Sequence, residues 1–221
     1  MLICLENILD RTEVKAVGEL LKKKDLFESG EVTAGKRARR MKSNLQGRTS
    51  AAEISGVTEK IRSVLNKNKL FNNIAIPAKI GRILISRYEA GMKYDVHYDE
   101  PFIDRLRTDL SFTVFLTDPD TYVGGELEID SPSGAQAIKL PAGCAVIYPS
   151  DRLHAVLPIT DGTRLTAVGW VQSRIRSSEQ RQLLFELADT TTRLETSGAQ
   201  TSEITSLKHL RNNLLRMWSE G

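Results

Sequence analysis

The run Arg82-Ile83-Leu84-Ile85-Ser86-Arg87-Tyr88 begins a region rich in β-branched and aromatic residues that extends from Ile80 to Arg174. Similar runs follow, separated by Gly, Pro, Asp and Ser: Thr108–Leu116, Glu126–Asp130, Ala145–Tyr148 and Arg164–Val171. Short strands with turn residues about every ten positions are typical of an antiparallel sandwich or barrel. A jelly roll is the simplest closure of such a set of strands.

Helical periodicity flanks this β region on both sides. Asp10 and Glu13 form a capping-box pattern before a first amphipathic helix, which we expect to end near Gly30. A second apolar stripe covers residues 50–69, and two helices are predicted after Arg174, joined by a connection at Thr190–Ser202. The predicted fold class is α+β, a double-stranded β-helix (jelly roll) with N-terminal supporting helices in residues 1–175 and a C-terminal helical extension in residues 176–221.

Composition and charge narrow the classes of partner. The 31 Lys and Arg residues nearly balance the 28 Asp and Glu residues, so neither nucleic acid nor a membrane surface is the default partner. No apolar run reaches the roughly 18 residues of a membrane span, and the first ten residues lack a basic secretion signal. Cys4 and Cys144 fit neither a disulfide framework nor a zinc site, which predicts a cytoplasmic protein with a buried, inert Cys144.

The chain contains three histidines, and two of them have neighbours that suggest a metal site. His97 and Asp99 are two positions apart, and on a strand such positions project to the same side, so both side chains can bind one ion. His154 would complete a face of two imidazoles and one carboxylate, which suits Fe(II) with open positions. Asp95 shares the His97 face and is an alternative ligand, whereas His209 is expected on the surface of a helix or in its packing.

Arg164 follows the turn at Asp161-Gly162 and begins a strand. A guanidinium presents a rigid donor fork to a carboxylate, so this side chain could hold the far end of a dicarboxylate that chelates the metal. Considered alone, an arginine at such a position is most often a surface strand residue, so the interpretation of Arg164 depends on His154, as that of His154 depends on Arg164. Gly124-Gly125 is interpreted as a turn or bulge, and Tyr94 as a core residue.

Together these residues resemble a known family, the Fe(II)- and 2-oxoglutarate-dependent dioxygenases of the prolyl and lysyl hydroxylase type. More narrowly, the pattern is similar to the bacterial PKHD-type hydroxylases. The resemblance is carried by Tyr88-Glu89-Ala90-Gly91-Met92-Lys93-Tyr94-Asp95-Val96-His97-Tyr98-Asp99, by Gly124-Gly125-Glu126-Leu127, by His154-Ala155-Val156 with Arg164, and by Thr33-Ala34-Gly35 with Lys42, Asn44 and Gln46.

The resemblance implies His97, Asp99 and His154 as iron ligands, and Arg164 and Tyr88 as residues that bind the cosubstrate. Fe(II), 2-oxoglutarate and O2 are the implied cofactors, with ascorbate as a further expectation. The implied reaction hydroxylates an unidentified small-molecule or peptide substrate while 2-oxoglutarate is oxidatively decarboxylated to succinate and CO2.

Two other functions remain open at this point. One is a cupin-like barrel that binds a metal or small ligand without turnover, and the other is nucleic-acid demethylation by the same chemistry. Only a basic cluster suggests demethylation of nucleic acid, and its residues are Lys36, Arg37, Arg39, Arg40 and Lys42. This cluster could attract an anionic substrate or form a solvated loop, and we favour the solvated loop. The apolar stripe of the C-terminal helices predicts core or subunit-interface residues, so a homo-oligomer is an open alternative.

Overall fold

Two antiparallel sheets face each other in the structure, a computed structural model that describes residues 1–31, 41–131 and 133–220. The helices are α1 (Arg11–Leu20), α2 (Ala52–Lys67), α3 (Lys69–Ala75), α4 (Ser178–Thr196) and α5 (Thr201–Trp218). The first strands are β1 (Ile3–Leu5), β2 (Phe27–Ser29), β3 (Lys42–Ser43), β4 (Leu45–Gly47), β5 (Pro77–Tyr88), β6 (Lys93–His97), β7 (Phe102–Ile103) and β8 (Leu106–Arg107). The remaining strands are β9 (Leu110–Phe115), β10 (Tyr122–Gly124), β11 (Leu127–Ile129), β12 (Gln136–Ile138), β13 (Ala145–Pro149), β14 (His154–Val156), β15 (Ile159–Gly162) and β16 (Arg164–Ser173).

The order of the strands is that of a double-stranded β-helix. A major sheet has the order β1-β13-β9-β16-β5-β4-β2, and a minor sheet has the order β12-β11-β14-β6-β3. From β5 onward the chain passes back and forth between the two sheets, and every pair within them is antiparallel. The predicted α+β jelly roll is therefore confirmed.

The two faces of the major sheet carry different side chains, because successive residues of a strand point to opposite faces. On β9, Phe112 and Val114 belong to an apolar core that includes buried residues of α1, α2 and α3. Ser111 and Thr113, between them in sequence, line a cavity between the two sheets. Because strand side chains alternate between faces, the helices cover one face of the sheet, while the other face turns toward the minor sheet and carries these polar groups beside a second apolar cluster.

The first helix begins as predicted but ends earlier. Asp10 and Glu13 form the capping box, and α1 ends at Leu20 rather than near Gly30. The following lysines are exposed, whereas Leu26 and Phe27 are buried, and Phe27 starts β2 at the edge of the major sheet. The chain therefore leaves the helix before these two side chains, which join the core instead, Leu26 from a 3-10 turn and Phe27 from β2.

The predicted connection at Thr190–Ser202 is wrong for most of its length. Helix α4 continues to Thr196 and α5 begins at Thr201. The hydroxyls of Thr191, Thr192 and Thr196 each donate to the carbonyl four residues earlier, so the threonines are satisfied within the helix.

The C-terminal helices are attached to the barrel at several points. Leu184 of α4 packs with Ile76 and Ile175, and Trp218 of α5 packs against the same cluster. Arg107 Nη1 also donates to Glu220 Oε2 at 2.7 Å. None of the helices in the described residues has the length and apolar character needed to cross a bilayer.

Cys144 and the basic cluster were also part of the sequence predictions. Cys144 is half-buried rather than buried, because it lies in the turn before β13. Thr33-Ala34-Gly35 and the basic residues Lys36, Arg37, Arg39 and Arg40 lie outside the described residues, so only Lys42 of that cluster is described.

Candidate metal centre

His97, Asp99 and His154 converge at one end of the minor sheet. His97 is the last residue of β6 and His154 the first of β14, and the two are directly paired across these antiparallel strands. Each of the three residues offers one ligand atom, and these atoms lie within 4.8 Å of one another. His154 Nε2 is 3.9 Å from Asp99 Oδ2, and the two imidazole centroids are 4.2 Å apart. The three predicted residues thus face a common point, although two of them are far from the third in sequence.

Asp95, the alternative acid, does not belong to this cluster. Its carboxylate is 45% exposed and lies 2.7 Å from Lys93 Nζ, with which it forms an ion pair. Only its backbone carbonyl approaches His97, at 2.8 Å from the ring Nδ1. The side chain of Asp95 is therefore held outside the group of three.

Both imidazoles have the orientation that a metal ligand needs. His97 Nδ1 lies 2.8 Å from the Asp95 carbonyl, and His154 Nδ1 lies 2.9 Å from the Arg152 carbonyl. A carbonyl can only accept, so each Nδ1 carries the proton and each Nε2 keeps its lone pair. Burial and then the proximity of His154 lower the pKa of His97 to about 4, which keeps this ring neutral near neutral pH.

Asp99 is oriented by two buried serines that the sequence analysis missed. Ser111 Oγ donates to Asp99 Oδ2 at 2.5 Å, and the hydroxyls of Ser111 and Ser150 lie 2.8 Å apart. The backbone N–H of Asp99 also donates to the Ser150 carbonyl at 3.3 Å. The signal for Ser111 was present in the sequence, because a serine in the otherwise apolar run Leu110-Ser111-Phe112 marks the inner face of the strand.

Aromatic rings enclose the two imidazoles. The Tyr94 ring stacks on His97 with centroids 3.6 Å apart and 17° between the planes. The Tyr148 ring meets His154 edge-on, with centroids 5.3 Å apart. Tyr94 is half-buried and packs against the core cluster between the sheets, as predicted, and it also forms part of the cavity wall.

Arg164 lies deeper in the barrel, directly opposite Tyr88 across β16 and β5. The residue is only 1% exposed, and its Nη1 donates to Thr166 Oγ1 at 3.2 Å. Its Nε and Nη2 form no well-aligned hydrogen bond with a described residue, although the Tyr122 hydroxyl lies close enough to oppose the lowering of the Arg164 pKa by burial. Burial raises the pKa of Tyr88 to about 12, so this hydroxyl stays protonated and able to donate.

The Gly124-Gly125 pair makes room for Arg164. Both glycines have positive φ, at +76° and +69°, and the register of β10 against β15 shifts between Val123 and Gly124. A Cβ on Gly125 would lie 2.1 Å from Ile159 Cδ1 and 3.1 Å from Arg164 Cδ. The predicted turn or bulge is confirmed as a bulge, and it lies against the arginine stem.

A cavity of about 220 Å³ connects the Arg164 end with the His97, Asp99 and His154 cluster. Two imidazoles and one carboxylate are the donor set of mononuclear Fe(II) sites that leave positions open. A buried guanidinium without an acidic partner in the described residues is costly unless an anion satisfies it. These residues therefore fit Fe(II) together with a dicarboxylate that reaches from the metal to Arg164.

His209, the third histidine, lies far from this chemistry. It is exposed on α5, where its Nε2 is 3.2 Å from Asn213 Nδ2. It is a surface residue, in line with the prediction.

Comparisons with known proteins give a consistent family. The model described as the 2OG-Fe(II) oxygenase superfamily matches residues 83–172, and the model of the PKHD-type hydroxylase C-terminal domain matches residues 179–220. A PKHD-type hydroxylase of Parvibaculum lavamentivorans is 41% identical over 222 residues, covering 100% of both chains.

Solved structures share the fold at lower identity. A Pseudomonas putida prolyl-4-hydroxylase has a TM-score of 0.56 at 20% identity, covering 78% of this chain and 92% of its own. A Trichoplax adhaerens prolyl hydroxylase, solved with a peptide fragment of a hypoxia inducible factor, has a TM-score of 0.58 at 15% identity, covering 83% and 86%.

Proposed function

The chain belongs to the PKHD-type hydroxylases of the 2OG-Fe(II) oxygenase superfamily, and on that premise we propose that His97, Asp99 and His154 hold the ferrous ion. The protein is an Fe(II)- and 2-oxoglutarate-dependent dioxygenase that hydroxylates an unspecified substrate. When bound, Fe(II), 2-oxoglutarate and O2 supply the oxidation, in which 2-oxoglutarate becomes succinate and CO2 and a C–H bond of the substrate is hydroxylated.

The side chains prepare the site before the metal binds. The carbonyls of Asp95 and Arg152 fix both imidazoles so that their Nε2 atoms face Asp99. Ser111 fixes the carboxylate, and the stacked ring of Tyr94 limits the rotation of His97. This arrangement favours metal binding because the ligands lose little conformational freedom.

Arg164 and Tyr88 bind the far carboxylate of 2-oxoglutarate in this proposal. The two unpartnered N–H groups of the buried guanidinium provide a fork for a carboxylate, and the protonated Tyr88 hydroxyl can donate from the opposite strand. This buried, unpaired arginine is the observation that favours the dioxygenase over a cupin-like binding barrel, which needs no dicarboxylate clamp.

We extend the proposal to the setting of the enzyme. The exposed free thiol of Cys4 suits the reducing cytoplasm, and ascorbate would return oxidised iron to the ferrous state. The substrate is a small molecule or peptide. Nucleic acid is a poor fit, because the 31 Lys and Arg residues are nearly balanced by 28 Asp and Glu residues.

The two acids beside His97 provide a matched test. Anaerobic protein is titrated with Fe(II) and 2-oxoglutarate, and the weak visible charge-transfer band of the chelate is recorded before air is admitted and succinate is measured. We expect Asp99→Ala to lose the band and the succinate, whereas Asp95→Ala keeps both, because only the Asp99 side chain faces the cluster. Wild-type protein with neither band nor succinate would refute the proposal, and equal losses in the two variants would refute the ligand assignment.

A further inference from the structure

The segment formed by β3 and β4 runs from the edge of the minor sheet, where β3 lies, to β4, the strand next to the edge strand β2 of the major sheet. Lys42 pairs with Tyr94 of β6 in the minor sheet, and Gln46 pairs with Ser86 of β5 in the major sheet. This segment therefore closes one side of the barrel, and both Lys42 and Gln46 line the cavity. The proposed binding of iron and 2-oxoglutarate uses neither side chain.

Lys42 brings a positive charge close to the metal cluster. Its Nζ lies 5.3 Å from the centroid of the Tyr94 ring, which stacks on His97. The Lys42 side chain forms no ion pair or hydrogen bond with any described residue, and the nearby Asp99 accepts from Ser111 instead. Burial lowers the pKa of Lys42 to about 8, as expected for an ammonium that lacks an anionic partner.

Gln46 adds an unpartnered amide to the same wall. It is 1% exposed, and neither its Oε1 nor its Nε2 has a hydrogen-bond partner in the described residues. A buried amide without partners destabilises the fold unless a ligand supplies them. Lys42, Asn44 and Gln46 form one short stretch of the family resemblance, and the fold places Lys42 and Gln46 on one cavity.

The remaining wall of the cavity is suited to an organic molecule. Leu84 and Val168 lie opposite each other on β5 and β16, four residues along these strands from the pair of Tyr88 and Arg164, and both line the cavity. We propose that Lys42 and Gln46 bind the primary substrate and that this substrate carries a carboxylate. This proposal rests on the proposed function, which assigns the Arg164 end of the cavity to 2-oxoglutarate. One half-buried ammonium beside a neutral amide balances a single negative charge, which favours a carboxylate over a phosphate dianion.

The test compares straight-chain carboxylates with their own amides. Anaerobic enzyme loaded with Fe(II) and 2-oxoglutarate is titrated with acetate, propionate, butyrate and valerate, and separately with acetamide, propionamide, butyramide and valeramide. Saturable shifts of the visible band report binding, and the 2-oxoglutarate concentration at half-saturation is measured in parallel. At least one acid binds about tenfold more tightly than its amide, because only the acid forms a charge-assisted hydrogen bond.

Variants separate this site from the 2-oxoglutarate site. Lys42→Met weakens acid binding about tenfold or more and leaves the 2-oxoglutarate half-saturation unchanged, while Lys42→Arg retains most of the binding. Gln46→Glu also weakens it, because a second carboxylate repels the acid. Lys93→Met is the matched control, because Lys93 belongs to the same strand pair, opposite Ser43, but is exposed and paired with Asp95. This variant leaves acid binding unchanged.

The outcomes distinguish the two levels of the proposal. Acids that bind no better than amides, acids that only compete with 2-oxoglutarate, an absence of binding by every acid, or a Lys42→Met variant that loses 2-oxoglutarate affinity would each overturn the substrate site. A wild-type protein without the visible band and without succinate would instead overturn the proposed function, whatever the acids do.

Discussion

At the scale of single residues, the Ser111 hydroxyl controls the direction of the Asp99 carboxylate. The two are joined by a 2.5 Å hydrogen bond, and Ser150 supports Ser111 from the other side. Partners that orient a metal ligand typically contribute 10–100-fold to metal affinity. The position of this serine is therefore a property of the metal site as well as of the strand.

Ser111→Ala is expected to weaken Fe(II) binding by about tenfold or more, because Asp99 loses the partner that fixes its orientation. Anaerobic titration with Fe(II) measures the change. Ser173→Ala is the control, since Ser173 is also a buried serine of the major sheet but donates to the Ile76 carbonyl, far from Asp99. Equal effects of the two substitutions on iron affinity would contradict a positioning role.

The charge of Lys42 predicts how carboxylate binding depends on pH. Its pKa of about 8 means that the ammonium is intact below pH 8 and is lost as the pH rises above that value. We expect carboxylate affinity to be level below pH 8 and to fall about tenfold per pH unit above it. Lys42→Arg should extend the level region beyond pH 10, since arginine stays charged. An affinity that is level across pH 8 in the wild type would contradict a Lys42 contact.

Sequence spacing alone did not decide which acid near His97 is the metal ligand. Asp95 and Asp99 are both two residues away, and strand geometry allows either. The choice depends on partners that are remote in sequence, namely Ser111 for Asp99, and on the local ion pair of Asp95 with Lys93. Likewise, the sequence predicted that Arg164 could enter the barrel. Only the packed structure shows that its guanidinium is buried without an acidic partner in the described residues.

At the scale of elements, the bulge at Gly124-Gly125 connects backbone conformation to the cosubstrate site. The positive φ of Gly125 and the 3.1 Å approach of a Cβ to Arg164 Cδ leave no room for a side chain. A side chain here would displace the arginine stem as well as strain the turn.

Gly125→Ala is expected to raise the KM for 2-oxoglutarate severalfold and to lower stability by about 1–2 kcal/mol, the cost of a left-handed residue with a Cβ. Steady-state succinate formation and urea unfolding measure the two effects. Gly198→Ala serves as the control, because Gly198 has a similar φ of +78° but open space around it. It should lose stability without a change in KM, and a KM shift in both variants would argue against the Arg164 contact.

The strands were predicted better than the helices, for a physical reason. The strands carry alternating or fully apolar runs between turn residues, and these patterns survive in the fold. Helix α3 has only seven residues, too few to show a period, and the threonines of α4 are satisfied by bonds to carbonyls one turn earlier. The many Thr and Ser residues suggested a connection at Thr190–Ser202, because composition does not show the local hydrogen bonds and tertiary packing that stabilise this helix.

At the scale of the whole molecule, a buried arginine without an acidic partner lowers the stability of the unliganded fold, although the proposed binding of 2-oxoglutarate requires it. Arg164 is fully enclosed, and among the described residues its guanidinium meets the hydroxyls of Thr166 and Tyr122 but no carboxylate. Without its ligand such a group costs free energy.

Arg164→Met is therefore expected to leave the metal-free protein more stable by about 1–3 kcal/mol in urea unfolding, while abolishing its response to 2-oxoglutarate. Arg87→Met is the matched control, because Arg87 is buried on the neighbouring strand β5 but bonds to Glu89 and to the Leu21 carbonyl. That variant should lose stability, by about 1–3 kcal/mol. A destabilised Arg164→Met would show that this arginine has a partner in the unliganded protein.

The most direct measurement is a crystal structure of the anaerobic protein with Fe(II) and 2-oxoglutarate. We expect one ion bound by His97 Nε2, His154 Nε2 and an oxygen of Asp99, with the far carboxylate of 2-oxoglutarate against Arg164. An ion bound by Asp95 or by other residues, or a 2-oxoglutarate molecule that does not contact Arg164, would contradict this account.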